Sequence, residues 1–173
     1  STEAWGKHLL HYYESGLVVH VHLGLYGKFT DSPIPLGPPI GQVRMRMVGS
    51  DFGTDLRGPT ACEVLLDGEL DAIADRLGPD PLRRNADPDR AWARIHKSRR
   101  TIGSLLMDQA VLAGVGNVYR CEACFLRGVR PDRTVADVDV PPLVELCRKM
   151  LWANRLRTAR TTTGRTAHNA RTW

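Results

Sequence analysis

The sequence Leu106–Tyr119 (LMDQAVLAGVGNVY) is a glycine-bearing junction between two amphipathic segments, and it is the strongest indication of the fold. Gly114 and Gly116 stand immediately before the residues that begin the second segment. Glycine lets a backbone approach a partner closely, and the first amides of a helix attract anions because they have no partner within the helix. The side chain of Asn117 adds a donor at the same place. The sequence therefore predicts two helices joined by two turns, with Gly116 and Asn117 placed to hold a phosphate group.

A helical period extends to both sides of this junction. Apolar residues recur three and four positions apart in five segments, and glycine or proline bounds most of them. The predicted helices lie near residues 70–77, 88–95, 102–110, 117–127 and 141–154. Thr101 is a candidate cap for the third helix, and Gly128 suits the left-handed position that follows the fourth.

The first 66 residues have a different pattern, in which short apolar alternations are broken by Gly, Pro and Asp. His8–Tyr13, Leu17–Tyr26 and Gln42–Val48 predict antiparallel strands. Ser32–Pro39 predicts a loop, because proline does not fit a central strand. The first strand begins almost at the first residue of the sequence. We therefore expect one edge or face of these strands to lack cover, leaving apolar side chains such as Val21 exposed and this region weakly stable.

These patterns predict an α+β fold with three parts. Residues 1–70 form a partial antiparallel β-sandwich, residues 71–157 form a helical domain with the helix–two-turns–helix motif, and residues 158–173 form a basic mobile tail. Charge divides the chain in a similar way. Residues 1–87 contain 8 Lys and Arg against 12 Asp and Glu, whereas residues 88–173 contain 16 against 7. This asymmetry favours a polyanionic partner for the second half, although high arginine content can also serve only solubility.

Composition excludes several other classes of protein. The sequence has no apolar run long enough to cross a bilayer and no basic-then-apolar leader, so we expect a soluble interior protein. Four cysteines in 173 residues do not make a disulfide framework. Cys121 and Cys124 have a spacing seen in zinc sites, but only Cys62 and Cys147 remain as further thiols, each far away in sequence. We therefore predict no metal site in this chain.

Five ordered motifs resemble those of the formamidopyrimidine-DNA glycosylase and endonuclease VIII family. The helix–two-turns–helix stretch continues with similarity to Arg133. Four further matches precede it in the family's order, at Gly6–Leu9, His22–Gly27, Asp55–Arg57 and Leu77–Leu82. Leu25 and Tyr26 resemble the endonuclease VIII branch. A lysine that some formamidopyrimidine-type members carry is Gly103 here.

The resemblance implies a DNA repair glycosylase with abasic-site lyase activity, acting on double-stranded DNA that contains an oxidised base or an abasic site. Lys7 matches the family lysine that contacts the phosphate beside the lesion, and Asn117 matches the asparagine that grips the backbone. Leu25 and Tyr26 match wedge side chains that fill the gap left by the flipped base, and Arg57 matches an arginine near the orphaned partner base. We expect a monomer that acts on the nucleoid in the bacterial cytoplasm.

The sequence departs from the family at both ends. The resemblance implies an amino-terminal proline as nucleophile, followed by a glutamate acid, and a zinc finger with paired Cys-x-x-Cys units in the full-length protein. Ser1 and Glu3 are poor matches for the first two, because they lie one strand before Lys7. The finger has no counterpart before Trp173. We therefore expect a truncated chain that lacks activity by itself and contains no cofactor.

Other interpretations remain open at this point. Leu25 also suits an ordinary strand, Lys7 an exposed surface charge, and Asn117 a helix cap that binds nothing. The double turn also occurs in ribosomal proteins and topoisomerases, so a non-catalytic nucleic-acid-binding module is the main alternative. A third hypothesis is a zinc-dependent hydrolase that uses His20 and His22, whose side chains share one face of a strand.

Overall fold

The computed structural model describes residues 1–157 and 159–165. The chain divides into two compact units, of which the first is Ser1–Asp71 and the second begins at Ala72. Seven strands lie in the first unit and the helices follow, in agreement with the predicted α+β order. Each unit is described by itself below.

The first unit contains a four-stranded antiparallel sheet. Its strands are β1 (Thr2–Trp5), β2 (His8–Tyr12), β3 (Val18–His22) and β7 (Ala61–Leu65), in the order β1-β2-β3-β7. β1 was not among the predicted strands, and it pairs with β2 along its whole length. Val21 is only 1 % exposed. The expectation that this side chain lacks cover was therefore wrong.

A second antiparallel sheet contains β4 (Lys28–Pro33), β5 (Val43–Val48) and β6 (Phe52–Arg57), in the order β4-β6-β5. Ser32 and Pro33, predicted to be loop, form the end of β4. Because β4 is an edge strand, its proline does not interrupt a second row of backbone hydrogen bonds. The rest of the predicted loop, residues 34–39, lies outside the strands, and the observed loop continues to residue 42.

The helical segments agree closely with the predicted period. The helices are α1 (Glu69–Arg76), α2 (Pro88–His96), α3 (Ile102–Met107), α4 (Asn117–Leu126) and α5 (Val140–Asn154). A single 3-10 turn, Val135–Asp137, precedes α5. Thr101 caps α3 by accepting from the Ser104 amide, and Gly128 has a φ of 62° after α4. Both cap predictions are therefore confirmed.

The apolar faces of α2 to α5 meet in one hydrophobic core within the second unit. Ile102, Val115, Leu143 and Cys147 are fully buried at its centre. This core fixes the orientation of α3 and α4, and thereby the turns between them. None of the helices in the described residues is both long and apolar enough to span a membrane.

The residues that follow α5 correct the prediction of a mobile tail. The Asn154 side chain donates to the Thr161 carbonyl and accepts from its amide, each at 2.7 Å. Thr162 donates to the buried Glu122 carboxylate at 2.8 Å. Residues 159–165 are therefore held against α4 and α5. Thr158 and residues 166–173 of the predicted tail lie outside the described residues.

Candidate nucleic-acid interface

The double turn, residues 108–116, connects α3 to α4 as the sequence predicts. Gly114 has a φ of 95°, a conformation that a side chain disfavours. Gly116 is the residue before α4, in extended conformation, and no side chain of the described residues caps this helix start. The first amides of α4 are therefore available as donors to an anion.

The Gln109 side chain stabilises the double turn by hydrogen bonds to its backbone. Its Nε2 donates to the carbonyls of Met107 and Val115, both at 2.8 Å, and its Oε1 accepts from the Gly114 amide at 3.0 Å. One side chain thus satisfies three backbone groups. Sequence reasoning missed this role, although a glutamine beside a glycine-rich turn is a signal for such side-chain bonding to the backbone.

Asp108 fixes the first residues of the same turn. Its Oδ1 accepts from the Ala110 amide at 3.0 Å, and its Oδ2 accepts from Arg100 Nη1 at 2.5 Å. The hydrogen bond from the Arg100 guanidinium is the main reason that the pKa of Asp108 lies below its usual value. The turn therefore depends on an ionised carboxylate.

Asn117 begins α4 with an exposed side chain. Its Oδ1 accepts from the Arg120 guanidinium and from the Cys121 thiol, the latter at 3.6 Å. Because the acceptor end of the amide is engaged, Nδ2 is the end left to donate to a phosphate. Arg120 was not predicted, yet it lies one helical turn from Asn117 and brings a positive charge to the same place.

Two glycines allow close approaches of the backbone, one at the double turn and one at the start of α3. The Gly78 amide donates to the Gln109 carbonyl at 2.8 Å, and a Cβ at Gly78 would lie 2.6 Å from the Val111 carbonyl. Gly103 donates to the Pro131 carbonyl at 2.8 Å, and a Cβ there would lie 2.8 Å from the same oxygen. A side chain at position 103 would therefore require the backbone at Pro131 to shift.

In the first unit, Lys7 lies in the turn between β1 and β2. Its side chain is exposed, but surrounding protein atoms partly desolvate the ammonium group and lower its pKa. His22 Nδ1–H donates to the Lys7 carbonyl at 2.9 Å. This bond joins the turn to β3 and holds the backbone that carries the lysine.

His22 also belongs to a stack of three histidine rings on one face of the sheet. His8 stacks between His20 and His22, with ring centroids 5.1 and 4.8 Å apart. His20 is buried, and its nitrogens bond to His8 Nδ1 at 2.8 Å and Glu63 Oε1 at 2.9 Å. Both nitrogens of His20 are thus engaged within the sheet. The geometry disfavours the zinc-hydrolase hypothesis, since stacked rings do not direct their lone pairs to one point.

The wedge turn, Leu23–Gly27, follows β3 and presents two apolar side chains to solvent. The Gly27 amide donates to the Leu23 carbonyl at 2.9 Å, and a Cβ at Gly27 would meet Leu23 Cα at 2.6 Å. Gly24 has a φ of 65°. This tight turn leaves Leu25 91 % and Tyr26 86 % exposed. Leu25 is therefore not an ordinary strand residue.

Arg57 ends β6 close to the wedge turn. A Cβ at Gly58 would lie 3.1 Å from the Tyr26 carbonyl, so the two backbones nearly touch. The Arg57 guanidinium donates to the Asp55 carboxylate at 2.8 Å and to the Ile40 carbonyl at 3.2 and 3.3 Å. The structure thus brings Leu25, Tyr26 and Arg57 together in the first unit, and Gly116 and Asn117 together in the second.

Ser1 and Glu3 form hydrogen bonds to the neighbouring strand β2. The Ser1 amino group donates to the Tyr12 carbonyl at 2.8 Å, and Glu3 accepts from the Tyr12 hydroxyl at 3.2 Å. These contacts give neither residue the arrangement of a nucleophile and its acid.

The cysteines do not form a metal centre within the described residues, where no group of three or more His, Cys, Asp or Glu side chains could hold an ion. Cys124 and Cys147 are buried thiols, and burial raises the pKa of Cys147 to about 12. Such a group is a core residue rather than a thiolate ligand. The described residues therefore do not fit the zinc that the resemblance implies for the full-length protein.

Comparison with known proteins shows which family the sequence resembles. Residues 77–165 match the formamidopyrimidine-DNA glycosylase H2TH domain. The chain is 61 % identical to "Endonuclease 8 1" of Mycobacterium tuberculosis over 80 % of its own length and 53 % of the relative's. It is 38 % identical to "Probable endonuclease 8 2" of Streptomyces coelicolor over 92 % of its length and 60 % of the relative's. The chain therefore spans only about half to three fifths of these relatives.

The fold is likewise similar to that of a solved complex between Lactococcus lactis Fpg and DNA with an abasic site. The TM-score is 0.74 at 18 % identity, over 89 % of this chain and 59 % of the other. At this identity the likeness concerns the fold alone. The sequence matches and the shared helix–two-turns–helix element together show that the chain belongs to the formamidopyrimidine-DNA glycosylase and endonuclease VIII family.

Proposed function

We propose that this protein binds double-stranded DNA at an oxidised base or an abasic site, as part of a repair glycosylase with abasic-site lyase activity. The wedge turn is the observation that carries the proposal. Leu25 and Tyr26 are adjacent in sequence and 91 % and 86 % exposed, so the turn presents two large side chains to solvent together. Apolar side chains held out in this way suit insertion into a base stack from which one base has been removed.

The double turn supplies the second half of the proposal. Nδ2 of Asn117 and the first amides of α4 are donors that suit a DNA phosphate, and Arg120 adds positive charge. Lys7 is the corresponding phosphate contact in the first unit. Contacts of this kind position the protein on the backbone, and the wedge then selects a gap in the stack.

The chemical step that the family implies is the attack of an amine on the sugar C1′, which expels the damaged base, or water at an abasic site, and forms a Schiff base before strand cleavage. Among the described residues, the Ser1 nitrogen is bonded to the Tyr12 carbonyl at 2.8 Å and the Glu3 carboxylate to the Tyr12 hydroxyl at 3.2 Å, so we assign neither residue to this step. Borohydride trapping on an abasic duplex checks this, and an efficient adduct at Ser1 would contradict it.

Binding of the chain to two matched duplexes tests the proposed function. One duplex contains a tetrahydrofuran abasic analogue and the other is undamaged, and fluorescence anisotropy gives the dissociation constant of each. We expect tighter binding to the abasic analogue, because the wedge fills its gap. Equal affinity for both duplexes favours a non-catalytic nucleic-acid-binding module, and no binding to either overturns the proposal. The expected stoichiometry is one monomer per lesion.

A further inference from the structure

The proline-rich loop, residues 34–41, lies along one face of β6. The Leu36 side chain occupies the space beside the Gly53 Cα where a Cβ at position 53 would lie. Further along, the Gly37 carbonyl accepts from Arg46 Nη1 at 2.7 Å, and the Ile40 carbonyl accepts from Arg57. The loop therefore touches this face at three successive places.

Asp55 lies at the centre of that face and is only 9 % exposed. Arg46 lies opposite it in the β5–β6 register and donates to both of its oxygens, from Nε at 2.6 Å and from Nη2 at 2.9 Å. Arg57 Nη2 donates to Oδ2 at 2.8 Å. Paired donation from the Arg46 guanidinium is the main reason that the pKa of Asp55 lies below its usual value.

This arrangement determines which part of Arg57 remains available. An arginine side chain has five N–H donors, one on Nε and two on each terminal nitrogen. Nε donates to the Ile40 carbonyl, and Nη2 donates to both Ile40 and Asp55. Among the described residues, no hydrogen-bond acceptor is found for Nη1. The guanidinium plane is thus fixed by three bonds, with one amino group uncommitted.

We propose that Arg46 and Asp55 are positioning residues, which fix the Arg57 guanidinium so that its Nη1 group discriminates among the bases opposite the lesion. This inference rests on the proposed function. A freely rotating arginine can adapt to any acceptor, but a fixed amino group favours the base whose acceptors lie in its plane. The four unpaired bases differ in the order of donors and acceptors on their pairing edges. The two N–H groups of a fixed Nη1 therefore bind the four bases unequally.

The test compares four duplexes that contain the abasic analogue opposite A, C, G or T. The parent chain is expected to show a spread of affinities of about fivefold or more, which is within what a hydrogen bond from a charged donor contributes. Arg46→Met removes the bonds to Asp55 and Gly37, and should bring the four affinities close together. Arg46→Lys keeps one bond and the charge, and should restore part of the spread.

Arg44→Met is the matched control, because Arg44 is exposed on the same strand and carries the same charge. It should leave the spread unchanged. If Arg46→Met does not fold, as thermal unfolding will show, Asp55→Asn carries the test with nearly the same side-chain shape. If the folded variant keeps the parent's spread of affinities across the four duplexes, the inference is overturned. An equal loss of affinity on all four duplexes also overturns it, and so does the absence of any spread in the parent. Failure of the parent to bind abasic DNA overturns the proposed function itself.

Discussion

The wedge turn and the double turn use glycine for the same purpose and present opposite chemistry. Both are tight turns closed by backbone hydrogen bonds, with Gly24 and Gly114 at positive φ. The wedge turn exposes two large apolar side chains. The double turn exposes an amide side chain and the start of a helix.

This difference indicates how recognition is divided between the two units. Apolar side chains gain nothing from a phosphate, so the wedge turn should respond only to a gap in the base stack. Amide donors gain little from a gap, so the double turn should bind the backbone of any duplex. Variants in the two turns should therefore separate selectivity for damage from general affinity for DNA.

The largest effect is expected from Leu25→Ala combined with Tyr26→Ala. Base–aromatic stacking contributes about 1–3 kcal/mol per base, so the double variant should lose most of its preference for the abasic analogue. Affinity for undamaged duplex should remain. Phe52→Ala is the control, because Phe52 is also a large exposed apolar residue of the first unit, 60 % accessible. An equal loss on both duplexes in the anisotropy assay would contradict the assignment.

Asn117→Ala should behave in the opposite way. Loss of one hydrogen bond to a charged acceptor costs about 1–3 kcal/mol, and the loss should be the same on abasic and undamaged duplexes. Asn85→Ala, in an exposed loop of the same unit, is the matched control. If Asn117→Ala binds both duplexes as tightly as the parent, the double turn is only a structural joint.

The ionised Asp108 makes the double turn sensitive to acid. Its folded-state pKa lies below the ordinary value of 3.8, so the carboxylate stabilises the fold above about pH 4, and this stabilisation is lost as the pH falls through the folded-state pKa. Asp108→Asn should cost about 1 kcal/mol at pH 7, because the ion pair with Arg100 is partly exposed. The difference from the parent should shrink near pH 3.

Thermal unfolding of both proteins between pH 3 and pH 7 measures this difference. Asp75→Asn, an exposed carboxylate on α1, provides the comparison. A penalty for Asp108→Asn that is constant over this pH range would show that the carboxylate's charge is not what holds the turn.

The smallest effect concerns the salt dependence of binding. Lys7→Ala removes one charge from a proposed phosphate contact, so the slope of log affinity against log salt should flatten by about one unit. Asn117→Ala should leave that slope unchanged, because it removes a neutral donor. Lys7→Arg keeps the charge and should keep the slope. An unchanged slope in Lys7→Ala would exclude Lys7 from the phosphate contacts.

Much of the fold follows from the sequence because its signals are local. The helical period, the Thr101 cap and Gly128 each act within a few residues, and all three agree with the structure. β1 was missed because it has only four residues before the turn at Gly6 and Lys7, too few to show an alternation. The contacts of residues 159–165 were missed because Thr and Arg carry no apolar period, although Asn154 and Glu122 bind this segment through single polar groups.

The candidate site was predicted residue by residue, but its supporting contacts were not. Arg46 and Asp55 are nine positions apart, and only Asp55 lies in one of the motifs that resemble the family. Residues 49–51 (Gly-Ser-Asp) contain the missing signal, because a hairpin closed there places Arg46 opposite Asp55. The carbonyls of Gly37 and Ile40 leave no such signal, since any residue presents a backbone oxygen.

The close approach at Gly78 has a consequence for how this sequence can change over time. A Cβ there would lie 2.6 Å from the backbone of Ala110 and Val111, so the need is for room rather than for an unusual φ. A replacement at position 78 can therefore persist only if the first part of the double turn shifts with it. Position 78 and the turn residues near 110, some thirty positions apart, should therefore change together. A related sequence without this glycine should also have a different turn conformation.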